Sequence, residues 1–308
     1  MDAAAKRVAA LRRFAVTLTA FNLLGHLYFG FEQSYAQPLA ALATAYGLEL
    51  SLDLIDAGLY HRRPAFIRGP IPLIDFLLPG HITALATAML LYANSEIWPI
   101  VFGTAVAVGS KHLFRMRVGP GTRHIFNPSN FGISLTLLAF PWVGIAPPYH
   151  FTENLHGVAD WVLPALILAS GGYLNARLTG RIPLLLGWTG AFVAQALLRT
   201  MLFGAYLPSA LGLMTSVVFV LYTFYMVTDP ATTPVSTRAQ VAFGATVAGT
   251  YGLLVAFHVV FGLFFALTIV CGLRGLVTYA YRLTAGKTAN VAQTHMVPRT
   301  APRALQVR

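Results

Sequence analysis

The sequence predicts an all-α, polytopic membrane protein of about ten transmembrane helices, arranged as a 5+5 inverted repeat. Three observations predict it. Of 308 residues, 56% are hydrophobic and only 10% charged, with a mean hydropathy of +0.66; a soluble domain carries about 25% charged residues. Apolar runs of about 20 residues, the length that crosses a bilayer core of about 30 Å as a helix, recur along the chain. The basic residues fall almost entirely into alternate gaps between those runs.

Taken in order, the spans lie near 14–31, 38–59, 73–93, 97–114, 129–146, 158–176, 182–203, 207–228, 239–256 and 258–282. The shortest connection is Phe257-His258, between the last two. Ser34-Tyr35-Ala36 after span 1 is cleavage-like. The preceding apolar stretch of about 18 residues exceeds the roughly 7–15 of a signal peptide, so span 1 is read as retained. The chain divides into a basic segment at 1–13, one transmembrane domain at 14–282 and a tail at 283–308. The tail is polar, basic and free of acids, and is predicted to be disordered.

Basic residues set the orientation, because they are enriched in cytoplasmic connections. Lys6, Arg7, Arg12 and Arg13 precede span 1. Arg62, Arg63 and Arg68 follow span 2, and Lys111, Arg115, Arg117 and Arg123 lie between spans 4 and 5. Arg177 and Arg181 separate spans 6 and 7, Arg238 separates spans 8 and 9, and the remaining basic residues except Arg199 close the chain. Glu32, Glu96, Glu153 and Asp160 fall on the other side, with Trp98, Trp142 and Trp161 as interfacial anchors. The expectation is a multi-pass protein of the inner (cytoplasmic) membrane with both termini cytoplasmic. The net charge of +11 forms no basic patch with interleaved aromatics, so the partner read from it is membrane lipid and not nucleic acid. The lone Cys271 excludes an intrachain disulfide, a CxxC pair and an all-cysteine cluster within this chain.

Five spans per half is an odd number, so the second half is expected upside down relative to the first. Two proline-containing segments occupy equivalent places: "FLLPGHITAL", 76–85, in span 3, and "YMVTDPATTP", 225–234, at the end of span 8. Proline removes a backbone donor, and backbone groups freed at membrane depth must be satisfied by protein or a cavity. Paired interruptions of this kind mark binding sites in transporter folds.

Three groups of polar residues carry chemistry. In span 2, Glu49, Asp53 and Asp56 share one helix face by their i, i+4, i+7 spacing. Ionisable groups inside a membrane are costly and face a cavity or a partner. Glu49 lies deepest and is the first candidate for an ion or proton path, followed by Asp53; the other reading pairs Asp53 and Asp56 with Arg62 or Arg63. In "HIFNPSNFGI", 124–133, Asn127-Pro128 favours a turn, and Ser129 or Asn130 can cap the following helix. Lys111, His112, Arg123 and His124 gather at the same end, and two asparagine amides also suit the edge of an isoalloxazine or quinone; both readings stand. The third group is Thr228, Asp229, Thr232 and Thr233, where Asp229 either holds a cation or forms an Asx-type turn paired with Arg238. His26, His81 and His258 lie in or beside apolar spans without HxxxH or HExxH spacing, so no metal site is predicted.

"VGSKHLFRMRVGPGTRHIFNPSNFG", 108–132, resembles a motif of the NqrB/RnfD family of membrane electron-transport subunits: a small residue, lysine, an aromatic shortly after, then FNP and a small-residue helix start. "FYMVTDPATTP", 224–234, resembles that family's second signature, about 100 residues on. The resemblance covers roughly 50–282. Within the family, "FPWVGIAPPYHFTENL", 140–155, is similar to the UnbU-type membrane proteins of enediyne biosynthesis. The resemblance implies a ten-helix inverted-repeat fold and a membrane subunit of an ion-translocating electron-transfer complex. It also implies flavin: FMN joined by a phosphodiester to a threonine between spans 5 and 6, and riboflavin near the FNP asparagines. Redox partner subunits would supply the electrons, and quinone or a small-molecule substrate would be the further ligand.

The chain departs from that pattern between spans 5 and 6. The loop reads "PPYHFTENLHG", 147–157, where Thr152 stands between Phe151 and Glu153. Close approach of phosphate to backbone needs small residues, and a neighbouring carboxylate repels it. Covalent attachment at Thr152 is therefore not expected. Any flavin, riboflavin or FMN, is expected to be non-covalent, held at Asn127 and Asn130 with Lys111, Thr228 and Asp229. The competing readings are a transporter or export and self-resistance protein on the same fold without redox activity, and a scaffold for a biosynthetic complex.

Overall fold

The computed structural model describes residues 3–118, 121–147, 151 and 153–295. Within them, two short antiparallel strand pairs are the sole sheet structure. Seven helical segments are long and apolar enough to cross a membrane, and an eighth joins them if two helices bent by 65° count as one span.

The helices follow the predicted spans closely in order and position. They are α1 (Ala3–Leu24), α2 (Ala36–Leu59), α3 (Pro70–Leu90), α4 (Trp98–Leu113), α5 (Pro128–Ala139), α6 (Val162–Tyr173), α7 (Ile182–Phe203), α8 (Leu207–Gly212), α9 (Val217–Leu221), α10 (Thr237–Ala256) and α11 (Gly262–His295). Five of them, α3, α4, α5, α7 and α8, carry proline at their first or second position, where its missing N–H would have had no helical partner anyway.

Four expectations need correction. Spans 4 and 5 are short: α4 has 16 residues and α5 has 12, about 24 and 18 Å at 1.5 Å per residue. The fifth span was expected to reach 146, but α5 stops at Ala139. Phe140 precedes Pro141, and a residue before proline resists the α conformation. The chain then extends into β4 (Gly144–Ile145), which pairs with β1 (Leu91–Tyr92). The expected interruption at Pro79 is absent, and α3 runs through it to Leu90. The break in span 8 lies at Ser216, between α8 and α9, well before the TDP segment. Finally, the helical backbone of α11 continues to His295, past Leu283 where the disordered tail was expected to begin; residues 296–308 lie outside the described residues.

The two halves pack in matching pairs. α1 packs on α3 and α6 on α9; α2 packs on α4 and α7 on α10; α4 packs on α5 and α10 on α11. The first helix of each half also ends alike. α1 passes into a π-turn at Gly25–Phe29 closed by left-handed Gly30 (φ 79°), and α6 into a π-turn at Leu174–Thr179 closed by Gly180 (φ 64°). The same six-residue bond locks each: Phe31 N–H to Gly25 O at 3.0 Å, and Arg181 N–H to Asn175 O at 2.9 Å.

In lipid, helices associate through close packing of small residues more than through burial from water. α4 and α5 touch at Gly103 and Gly132, where a Cβ on Gly132 would lie 2.2 Å from the Gly103 carbonyl oxygen. One apolar core links both halves through Leu18, Met89, Ile133, Trp188, Tyr222 and Phe264. Large apolar side chains such as Leu27, Met201 and Phe203 are exposed on the outside, as a lipid-facing surface requires.

Connections gather at two ends of the bundle. At one end, β2 (Arg115–Val118) and β3 (Gly121–His124) form a hairpin that meets the 227–236 loop through His124 and Asp229. At the other, β1 pairs with β4, and Trp142 donates to Glu96.

Candidate functional site

A buried charged cluster is built by α2, α3 and α4. Glu49 is buried on α2, and its Oε1 accepts from Nζ of Lys111 on α4 at 2.5 Å. His112 Nε2 lies 3.5 Å from the other carboxylate oxygen. Gly80 of α3 lets the carboxylate in, since a Cβ there would sit 3.0 Å from Glu49 Cγ. Around the cluster, Arg115 donates to the Lys111 carbonyl and contacts His112. A buried ion pair rarely repays its desolvation as stability, so its place at mid-helix of α2 points to use. Lys111, expected beside the FNP asparagines, instead faces Glu49.

Asp53 takes a different part from the one expected of it. It accepts from Arg62 Nη2 at 2.6 Å and from the Ala65 amide at 2.6 Å, which holds the turn between α2 and α3. Asp56 lies 4.0 Å from the same guanidinium. The pairing reading therefore describes Asp53 and Asp56, and Glu49 is the acid of α2 that pairs with α4.

One residue on from Gly80, His81 of α3 joins α1 to α2. The Thr19 hydroxyl donates to the Ala15 carbonyl at 2.8 Å and lies 2.7 Å from His81 Nε2. Tyr46 Oη lies 2.6 Å from Nδ1. A hydroxyl that has given its proton away can only accept, so His81 donates from Nε2 and accepts the Tyr46 proton at Nδ1. The trio borders a groove of about 680 Å³ lined also by Leu77 and Leu78, with Arg12 at its rim. Sequence reasoning left Tyr46 out and considered His81 only as a metal ligand; the signal was there, because His81 follows Gly80 and Tyr46 precedes Glu49 by one helical turn.

The FNP and TDP segments meet. Asn127 caps α5 by accepting from the Asn130 amide and the Ser129 hydroxyl, each at 3.0 Å, and donates to the Met226 carbonyl at 3.2 Å. Asn130 donates to the Phe264 carbonyl and the Thr268 hydroxyl on α11; its Oδ1 is buried without a partner. The amides expected at a cofactor edge are thus mostly engaged in tying α5 to its neighbours. Thr228 donates to the Phe224 carbonyl.

Asp229 organises the loop after it. Its Oδ1 accepts from the Ala231 amide at 2.9 Å, its carbonyl accepts from the Thr232 and Thr233 hydroxyls, and its Oδ2 lies 3.4 Å from His124. The partner is His124 and not the expected Arg238, because the hairpin folds over the loop. Burial by itself would raise the Asp229 carboxyl; His124, with the Ala231 and Thr232 bonds, outweighs it and holds it below the usual carboxylate range. Arg181, which the sequence did not single out, clamps the same loop through the Pro234 carbonyl at 2.5 Å and the Pro230 carbonyl at 3.3 Å. Thr152 lies outside the described residues; Phe151 beside it is buried edge-on to Phe31.

These features define a polytopic helical membrane protein with a charged cluster enclosed between helices. Among known proteins, the chain matches no family model and no curated protein.

Proposed function

We propose that the protein moves a proton or small cation past Glu49, as the ion-translocating membrane subunit of an electron-transport system of the RnfD/NqrB kind. The observation that carries this reading is the buried Glu49–Lys111–His112 cluster, set where α3 brings a glycine instead of a side chain against the carboxylate. A carboxylate held by a lysine and a histidine can exchange a proton or release its lysine for a cation. Ten spans, an inverted repeat and cytoplasmic termini in the inner membrane belong to the same reading; the matched helix pairs of the two halves support it. Partner subunits would deliver electrons, and a place beside a natural-product pathway rests on the 140–155 resemblance.

The test is reconstitution into vesicles with an internal pH or cation dye. Wild-type protein, with its electron source or an imposed gradient, should change the signal, and Glu49→Gln should abolish it while remaining folded. Equal flux in both would remove Glu49 from the path.

A second reading is favoured by the contact between Asn127 and the Met226 carbonyl, which joins the two family-like motifs. In it, a non-covalent flavin lies beside this junction, with Asn130 Oδ1 as the free acceptor. Purified protein should then show flavin absorbance that denaturation releases and that Asn130→Leu removes. A colourless protein made with flavin available favours transport without redox activity.

A further inference from the structure

Arg181 and Arg274 converge on the TDP loop with Arg123 within electrostatic reach of both, and the charge around them does not balance. Arg181 and Arg274 both bond carbonyls of the 230–234 stretch, Arg274 through the Thr232 oxygen. Arg123 lies next to His124, which contacts Asp229. Carbonyl oxygens satisfy donors but cancel no net charge. Asp229 is the one acidic residue between 161 and the C-terminus. Three guanidiniums against one carboxylate leave an excess of two positive charges. Burial lowers the Arg181 guanidinium; Asp229 opposes that shift, and Arg123 and Arg274 add to it.

Two donors are left over. Arg181 is 5% exposed, and its Nε is buried without a hydrogen-bond partner. Arg123 is half-buried; its backbone pairs with Met116 across the hairpin, and its side chain makes no hydrogen bond or ion pair with another described residue. Like charges placed together at partial burial repel, and Asp229 offsets only part of the cost. An anion offsets the rest. A phosphate monoester carries about −1.5 to −2 charges at neutral pH and a phosphodiester headgroup a single one; both present several acceptor oxygens, and guanidinium is the side chain best suited to bond them.

We propose that Arg123, Arg181 and Arg274, at the hairpin end of the bundle, form a binding site for a phosphate group, either on a soluble ligand or on the headgroup of an anionic phospholipid. The site is independent of the ion path, since it shares no residue with the Glu49 cluster. Arg123 is the residue that closes on the ligand, because its side chain has no other partner. Arg181 and Arg274 hold the loop and supply the surrounding field.

The experiment uses the purified full chain in detergent and follows thermal unfolding. Inorganic phosphate, against potassium chloride at matched ionic strength, should raise the wild-type Tm saturably by about 3–5 °C. Arg123→Gln should raise the Tm in low salt without phosphate, by relieving repulsion, and should lose the phosphate response. Arg63→Gln, an equal change in charge at another loop, should keep it. In parallel, native mass spectrometry from vesicles of zwitterionic lipid with a minority of phosphatidylglycerol tests the headgroup source. Selective retention of phosphatidylglycerol, lost in Arg123→Gln, with no response to free phosphate assigns the site to lipid. A phosphate response assigns it to a soluble ligand. The proposal fails if wild-type protein shows neither, or if Arg123→Gln behaves as wild type in both.

Discussion

Glu49 and Lys111 are 62 positions apart in the chain and meet at 2.5 Å inside the helix bundle. Removing one partner from such a pair strands the other charge, at a cost of about 3–5 kcal/mol. Glu49→Gln should therefore unfold at lower temperature as well as lose ion movement. Glu49→Gln with Lys111→Met should recover much of that stability and none of the flux, as calorimetry beside vesicle assays would show. Recovery of flux in the double variant would reduce the pair to packing. Asp53→Asn should do the reverse, loosening the 60–69 turn while flux per folded molecule persists.

Asp229 gives a pH prediction at the same scale. Its folded carboxyl is held below the usual carboxylate range, so its contribution to stability is complete above that range and is lost as pH falls through the folded value. Below about pH 4, where ordinary carboxylates protonate, wild type should lose Tm more steeply than Asp229→Asn. Parallel curves would show that the His124 contact adds nothing to stability. Of these residues, the sequence made Glu49 legible through its depth, and Asn127 and Asp229 through their turn chemistry. It gave no sign that Lys111 would face Glu49, because that contact depends on how α4 is rotated against α2.

Among the elements, the α4–α5 contact is the tightest. Gly132 presses on the Gly103 carbonyl, which cannot swing away as a side chain would, with an added Cβ at 2.2 Å. Gly132→Leu should yield little folded protein by size-exclusion chromatography. Gly190→Ala, where nothing lies within 4 Å, should be neutral. If both behave alike, close approach of these helices is not required. Helix existence and order were legible from apolar runs of membrane length, and the early end of α5 is written in Phe140-Pro141. The smooth passage of α3 through Pro79 was not, because a proline breaks a helix or is absorbed according to what packs around it.

For the whole molecule, the ten-span reading makes a direct prediction about sidedness. Reporter fusions after Asn154 and at the C-terminus should report opposite compartments, because five spans separate them. The same compartment for both would remove a span, and the short α4 and α5 are the pair whose status this decides.

By itself the sequence determined an all-α membrane protein, the order of its helices and the division of its charges between two ends. Those follow from composition, run length and the cost of moving charge across lipid, all of which act locally along the chain. Tertiary structure alone decided which polar groups meet. Glu49 found Lys111, Asp229 found His124, and three arginines gathered around one loop, because helix rotation and the closeness allowed by Gly80 and Gly132 are set by packing between distant segments.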